Sequence, residues 1–301
     1  MKILITEVIT EDGKNILKEA GFELIERFDL TKEELKDALR GISAVIIRSK
    51  TKMDREIIES TDTLKVIGRA GIGIDNVDVK AAKEKNIEVL ITPNSPAISV
   101  AELTFGMILA CARNIKKANL SLSEGKWEKS ALKGIELYSK TLGIIGMGRI
   151  GREVAKKAKA FGMSIIFFDP CVEECEGAEK VELDKLYSLS DVISIHVPFC
   201  PETENLISKE AFSKMKNSAI VVNCSRGGII NEDDLYEALV SEKILAAGLD
   251  VFKVEPAVGN KLVDLPNVIA TPHLGSQTIE GQLRVSVEIA ERVIEYLNIS
   301  K

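Results

Sequence analysis

Short, wholly apolar runs alternate along this chain with stretches in which apolar residues recur every three or four positions. The run KILITEVI opens it, helical spacing follows from Gly13 to Ala20, and a second short run occupies Phe22 to Ile25. The alternation continues through a helix near Lys32 to Leu39, the run AVIIR at 44–48, a helix near Arg55 to Ser60 and the run KVIGRAG at 65–71. Apolar strands separated by amphipathic helices predict a parallel sheet covered on both faces. After Ile87 to Leu90 comes TPNSPAIS, whose prolines, Pro93 and Pro96, disfavour a continuing helix and mark a hinge. A long helix is expected from about Val100 to Arg113.

A second alternating series begins at Lys140. Its runs are TLGIIGMGRIG, SIIFFD, DVISIHVP, AIVVNCS, AAGLDVF and NVIATP, with helices between most of them, and Gln282 to Leu297 reads as one closing amphipathic helix. Six such runs describe a doubly wound sheet. The fold class expected is therefore α/β, with two doubly wound parallel-sheet domains.

Composition changes this picture little. A chain of 301 residues suggests two units of roughly 150 residues each, and two units imply a cleft. No apolar run approaches the ~18 residues of a bilayer span, and MKILITEVIT is too short and too soon acidic for a signal peptide, so a soluble, cytoplasmic protein is expected. A formal charge of -6 argues against a nucleic-acid partner, while small acidic ligands remain open. The five cysteines, at 111, 171, 175, 200 and 224, form no CxxC pair and lack a nearby histidine, so reduced packing thiols and no metal are expected. Cys171 and Cys175 have the spacing to face one another on a helix.

Gly146-Met147-Gly148-Arg149-Ile150-Gly151 fits GxGxxG between a strand run and a helix run. The first glycine permits a tight turn, the second lets backbone approach a pyrophosphate, and the third allows close helix–strand packing. The next strand ends at Asp169, placed to receive both ribose hydroxyls and to oppose a 2′-phosphate, which favours NAD over NADP. A glycine turn beside a surface aspartate is the bland alternative.

Only two histidines, His196 and His273, are available as acid/base groups near neutrality. His196 ends a strand run, where packing and cofactor contact are both open readings. His273 lies in a loop at a strand end, where ligands gather in open α/β sheets. Arg226 follows an apolar strand, with paired glycines expected to give its guanidinium room, and Glu255 lies just beyond another strand. A carboxylate beside His273 fixes its tautomer and favours its cation, while a guanidinium clamps a substrate carboxylate and polarises the adjacent carbonyl. Either charge alone is more often an ordinary surface residue.

With RAGIGIDNVD at 69–78, SVAELTFGMILACAR at 99–113, KTLGIIGMGRIGREVA at 140–155, VNCSRGGIINEDDL at 222–235, AAGLDVF at 246–252 and TPHLGSQT at 271–278, the chain resembles the D-isomer-specific 2-hydroxyacid dehydrogenases along nearly its whole length. Among them it is most similar to the D-3-phosphoglycerate dehydrogenases. The resemblance implies oxidation of D-3-phosphoglycerate with NAD, the first step of phosphorylated serine biosynthesis, with Arg226, Glu255 and His273 as catalytic residues. It implies cofactor contacts from Gly146, Gly148, Arg149, Ile150, Gly151, Asp169, His196, Val197, Pro198, Thr203, Cys224, Ser225, Asp250 and Gly275, with Asp250 holding the nicotinamide carboxamide. Substrate contacts fall to Arg48, Arg69, Ala70, Gly71, Ile72, Gly73, Asn76 and Lys129, the loop from Gly71 to Asn76 offering backbone amides to the carboxylate and the arginines taking the phosphate. Lys133 is a further candidate for added charge.

The resemblance also implies a Rossmann-type cofactor domain at 95–274, inserted in a discontinuous flavodoxin-like substrate domain at 1–94 and 275–301. The chain departs from the family's animal members at Ser95-Pro96-Ala97, where they carry Gly-Asn-Ser, and it stops after the closing helix, so no serine-binding regulatory module is expected. The apolar helix SVAELTFGMILACAR and the following Trp127 suggest a homodimer joined through the cofactor domain. Competing readings are a glyoxylate or hydroxypyruvate reductase and a non-enzymatic, dinucleotide-sensing corepressor on the same fold.

Overall fold

Four-residue apolar strands bury both faces only if helices cover each side of the sheet, and the chain does this twice. The computed structural model describes residues 1–95 and 97–299; Pro96, the second hinge proline, lies outside the described residues. One unit comprises 1–96 with 276–301, the other 97–275. The first begins with β1 (Lys2–Ile5), α1 (Glu11–Glu19), β2 (Glu23–Glu26), α2 (Lys32–Ala38), β3 (Ala44–Ile47), α3 (Arg55–Glu59), β4 (Val66–Arg69), α4 (Val79–Glu84) and β5 (Glu88–Ile91). All its strands pair in parallel, in the order β2-β1-β3-β4-β5.

The second unit opens with α5 (Ala97–Ala112) and α6 (Ile115–Ser123), then β6 (Thr141–Ile145), α7 (Arg149–Ala160), β7 (Ser164–Phe168), the two-residue β8 (Glu179–Lys180), α8 (Leu183–Leu189) and β9 (Val192–Ile195). It continues with α9 (Lys209–Lys214), β10 (Ile220–Asn223), α10 (Glu232–Val240), β11 (Ala246–Leu249), α11 (Lys261–Asp264) and β12 (Val268–Ala270). The sheet is again all parallel, in the order β12-β11-β10-β9-β6-β7-β8. The chain then returns to the first unit as α12 (Ile279–Ile299).

Both sheets belong to the expected class. Each is sandwiched by two apolar layers, one of which, in the first unit, includes Val285, Ile289 and Val293 of α12 against Ile3, Ile5 and Val66. The order of each sheet reverses once, between β1 and β3 in the first and between β6 and β9 in the second. Chain segments leaving the two strands at such a point diverge and open a crevice at the strands' carboxyl ends.

Local differences from the sequence expectation have identifiable causes. The long helix starts at Ala97 rather than Val100, and α4 and α6 form where no helix was expected. In α4, Asp78 supplies a side-chain cap to Ala81 N–H that outweighs the brevity of the apolar pattern. Cys171 and Cys175 do not share a helix: Asp169 Oδ1 accepts from Cys171 N at 2.8 Å and Val172 N at 3.1 Å, committing that segment to a turn. Among the described residues, no single helix is long and apolar enough to cross a membrane.

Candidate active site in the second unit

The glycine loop stands at the switch point of the second sheet. Gly146, after β6, has φ +95°, and a Cβ there would sit 2.6 Å from the His196 carbonyl oxygen after β9. At Gly151 a Cβ would overlap the Gly146 carbonyl, so α7 can approach the turn only with glycine. Gly148 is different. It is the N-cap of α7, in extended backbone, with no protein atom within 4 Å of a Cβ position. The open space lies at a helix N-terminus, where unpaired N–H groups and the helix dipole favour an anion. Met147 N donates to Asp169 Oδ2 at 2.8 Å, which ties the loop to the end of β7. The glycine cradle and the carboxylate together fit a dinucleotide with an unmodified ribose.

His196 Nε2 bonds Ser194 Oγ at 2.8 Å, while Nδ1 is enclosed without a hydrogen-bond partner. Part of the residue still reaches the surface, but burial around the ring pulls its pKa down to about 3. His196 is therefore neutral at ordinary pH and is no acid/base group. In the turn that follows, Val197 is half-buried and Pro198 is exposed; Thr203 Oγ1 donates to the Pro198 carbonyl at 2.7 Å and accepts from Cys200 N at 2.9 Å. Arg149 is exposed and Ile150 half-buried at the start of α7.

Beyond β10 and β11 lies the second constellation. Glu255 Oε2 meets His273 Nδ1 at 2.9 Å, and Oε1 accepts from Phe252 N at 3.2 Å. Burial acts to raise the Glu255 pKa, yet the bond and charge of His273, the Phe252 N–H and the Arg226 charge hold it below its ordinary value. The carboxylate thus fixes one nitrogen of His273 and leaves Nε2 for other chemistry. Arg226 is joined to the pair through its charge on Glu255, and its Nη1 donates to the Ser225 carbonyl at 2.7 Å.

His273 itself has φ +56°, and Asp250 supports that backbone. Asp250 Oδ1 accepts from Leu274 N at 2.7 Å and Thr271 Oγ1 at 2.5 Å, Oδ2 accepts from Gly275 N at 2.8 Å, and His273 N donates to the Asp250 carbonyl at 2.9 Å. Burial raises the Asp250 pKa, against the opposing effect of those bonds. Asp250 is only 1% exposed, and its carboxylate organises the histidine loop, a duty the sequence alone did not suggest.

The first of the paired glycines after Arg226 is a packing contact. At Gly227 a Cβ would overlap the Phe252 carbonyl, so glycine here brings the arginine loop against the strand end that leads to Glu255. Asn223, missed in the sequence, braces the same loop: its Oδ1 accepts from Ser225 N at 2.9 Å and Ser225 Oγ at 2.7 Å, and its Nδ2 donates to the Arg226 carbonyl at 2.8 Å. An amide at the carboxyl end of an apolar strand was the available signal. Cys224 turns its thiol into the core, 3.7 Å from Met107 Sδ, and burial pushes its pKa up to about 12. Lys129 is exposed in the loop after α6.

The remaining candidates lie in the first unit. Arg48 is half-buried just after β3, and burial lowers its pKa against the charge of Glu7. Arg69 Nη1 donates to the Ala70 carbonyl at 3.3 Å, and its guanidinium lies over Gly71. Ala70 is buried and Ile72 and Gly73 are half-buried. Asn76, whose expected part was substrate contact, donates Nδ2 to the carbonyls of Arg48 at 2.8 Å and Thr51 at 2.6 Å.

Residues 105–275 match the family described as D-isomer specific 2-hydroxyacid dehydrogenase, NAD binding domain. The chain is 49% identical over 302 residues to the D-3-phosphoglycerate dehydrogenase of Methanocaldococcus jannaschii, covering 99% of this chain and 57% of that one. It is 53% identical over 274 residues to the hydroxypyruvate reductase of Thermotoga maritima, 90% of each chain. Among solved structures, the NAD-dependent formate dehydrogenase of Staphylococcus aureus in complex with NAD superposes with a TM-score of 0.87 at 33% identity, covering 100% of this chain and 97% of that one. The chain therefore spans little more than half the length of the phosphoglycerate dehydrogenase it matches.

Proposed function

The chain belongs to the D-isomer specific 2-hydroxyacid dehydrogenase family, and from that premise we propose that it oxidises D-3-phosphoglycerate to 3-phosphohydroxypyruvate with NAD. The observation that carries the chemistry is the His273–Glu255 bond of 2.9 Å, which leaves the second imidazole nitrogen to take the C2 hydroxyl proton. Glu255 stabilises the resulting cation. Arg226 binds the substrate carboxylate and draws electron density from the carbonyl that forms at C2. NAD, when bound on the glycine loop, supplies the two-electron acceptor.

The phosphate is assigned to Arg48 and Arg69. In support, Arg48 is half-buried, yet among the described residues its guanidinium has no ion pair, and a desolvated charge of this kind favours an anionic ligand. The substrate carboxylate is assigned to the backbone amides at Ile72 and Gly73, and Lys129 of a neighbouring subunit is assigned to added positive charge at the phosphate.

The 53% identity to a hydroxypyruvate reductase favours a second reading, reduction of an unphosphorylated 2-oxoacid by the same residues. A screen following NADH absorbance decides between them. The proposal expects 3-phosphohydroxypyruvate to exceed hydroxypyruvate and glyoxylate in kcat/KM by about tenfold or more, since charge-assisted phosphate bonds contribute roughly 1.5–3 kcal/mol each. The opposite ranking establishes the reductase, and absence of turnover with any of them favours the corepressor.

A further inference from the structure

At the switch point of the first sheet, one carboxylate governs the whole loop that leaves β3. Glu7 follows β1 and faces Arg48-Ser49-Lys50-Thr51. Its Oε1 accepts from Arg48 N at 2.8 Å and Thr51 N at 2.9 Å, and its Oε2 accepts from Lys50 N at 3.2 Å. From the other side, Asn76 Nδ2 donates to the Arg48 and Thr51 carbonyls, and Thr6 Oγ1 lies 2.8 Å from Thr51 Oγ1. Three of the loop's four backbone N–H groups and two of its carbonyls are thus held by two side chains, Glu7 just after β1 and Asn76 shortly before α4. A four-residue loop held in this way has little freedom left, and the direction in which Arg48 departs is set before any ligand arrives.

Glu7 does more than brace backbone. Its negative charge favours the half-buried Arg48 guanidinium, while the carboxylate oxygens are occupied by N–H groups and do not form an ion pair with it. The guanidinium is thereby stabilised as a cation without being neutralised at close range. This is the arrangement required of a group that must receive an anion in a crevice.

We infer that Glu7 is a positioning residue, which orients Arg48 at the β1/β3 switch point and so sets affinity for the anionic far group of the substrate. The inference rests on the assignment of Arg48 to the phosphate made above. It extends that assignment to a residue with no expected substrate contact.

The test is a double-mutant cycle of Glu7→Gln and Arg48→Ala, read as KM and kcat with 3-phosphohydroxypyruvate and with hydroxypyruvate, on protein whose folding is checked by circular dichroism. Gln keeps the shape but offers one acceptor oxygen in place of two. Glu7→Gln should raise KM for 3-phosphohydroxypyruvate about tenfold, change kcat less than about threefold, and have little further effect once Arg48 is Ala. Glu7→Asp, which keeps the charge one methylene short, should give a smaller rise and carries the test if the Gln variant does not fold. A wild-type KM in a folded Glu7 variant, or an equal KM rise with and without Arg48, overturns the inference. If Arg48→Ala leaves discrimination between the two substrates intact, the phosphate assignment fails, and this inference with it. If Arg48→Ala abolishes discrimination and the Glu7 variants do not alter it, only the role of Glu7 is lost.

Discussion

His273 stands in the left-handed backbone region, which side-chain-bearing residues rarely occupy, and Asp250 and Glu255 together hold it there and aim it. The Glu255 carboxylate, 2.9 Å from Nδ1, fixes the tautomer and orientation of the ring, so that Nε2 is the nitrogen that exchanges a proton with the substrate. Glu255→Gln should therefore lower kcat by about tenfold or more with KM little changed, and an unmoved kcat would remove Glu255 from this role. His273→Ala should lower kcat by at least about a hundredfold, within the range general acid–base catalysis contributes. His196 is set apart by its burial. Its folded pKa of about 3 lies below the ordinary 6.5, so its contribution to stability is complete above 6.5 and is lost as pH falls toward 3. Near pH 5 the loss should reach about 2 kcal/mol, and denaturant titrations should find it absent in His196→Gln. An identical acid sensitivity in that variant would show that other groups are responsible.

At the scale of elements, the strand–turn–helix around Gly146 separates two demands that one motif combines. Gly151 serves packing, because α7 must touch the turn, whereas Gly148 faces open space. Gly151→Ala should lower stability by about 1–3 kcal/mol and weaken NAD binding together, the cost of forcing backbone apart. Gly148→Ala should melt within a few degrees of wild type and still bind NAD at least about tenfold less tightly, because its Cβ enters the space offered to the pyrophosphate. Calorimetric titration with thermal melting separates the two, and a Gly148→Ala protein with wild-type affinity would disprove the cradle. The glycine spacing and Asp169 were legible in the sequence because strand, turn and helix are local. The Asp250 brace was not, since it depends on backbone brought to it by the neighbouring β12, whereas the Asn223 brace is local and had its signal in an amide at a strand's end.

At the scale of the whole molecule, the apolar surface left for a second copy lies on α6 and beyond rather than on α5. The apolar excess of α5 is consumed inside its own unit, where Ala101, Phe105, Met107 and Ile108 are buried in one core layer with Ile144 and Val222. The surface left over is on α6 and beyond, with Leu120, Leu122 and Tyr138 exposed and Trp127 exposed to 83%. Apolar exposure concentrated in one stretch of sequence favours a self-complementary interface, so a homodimer through the second unit remains the proposal. Light scattering should give twice the chain mass for wild type and a monomer for Leu122→Asp with Trp127→Ala; a monomeric wild type with full activity at the same dilution refutes it. Strand and helix alternation, the glycine loop, Asp169 and the roster of scarce titratable residues were determined by the sequence itself, because periodicity and spacing act over a few residues. Which histidine keeps a usable proton, which glycine is a packing contact, and which acids serve as braces were decided only by the tertiary structure. Burial, strand order and the meeting of segments forty or more residues apart, as for Glu7 with Thr51, set those properties, and none of them is encoded in any single stretch of chain.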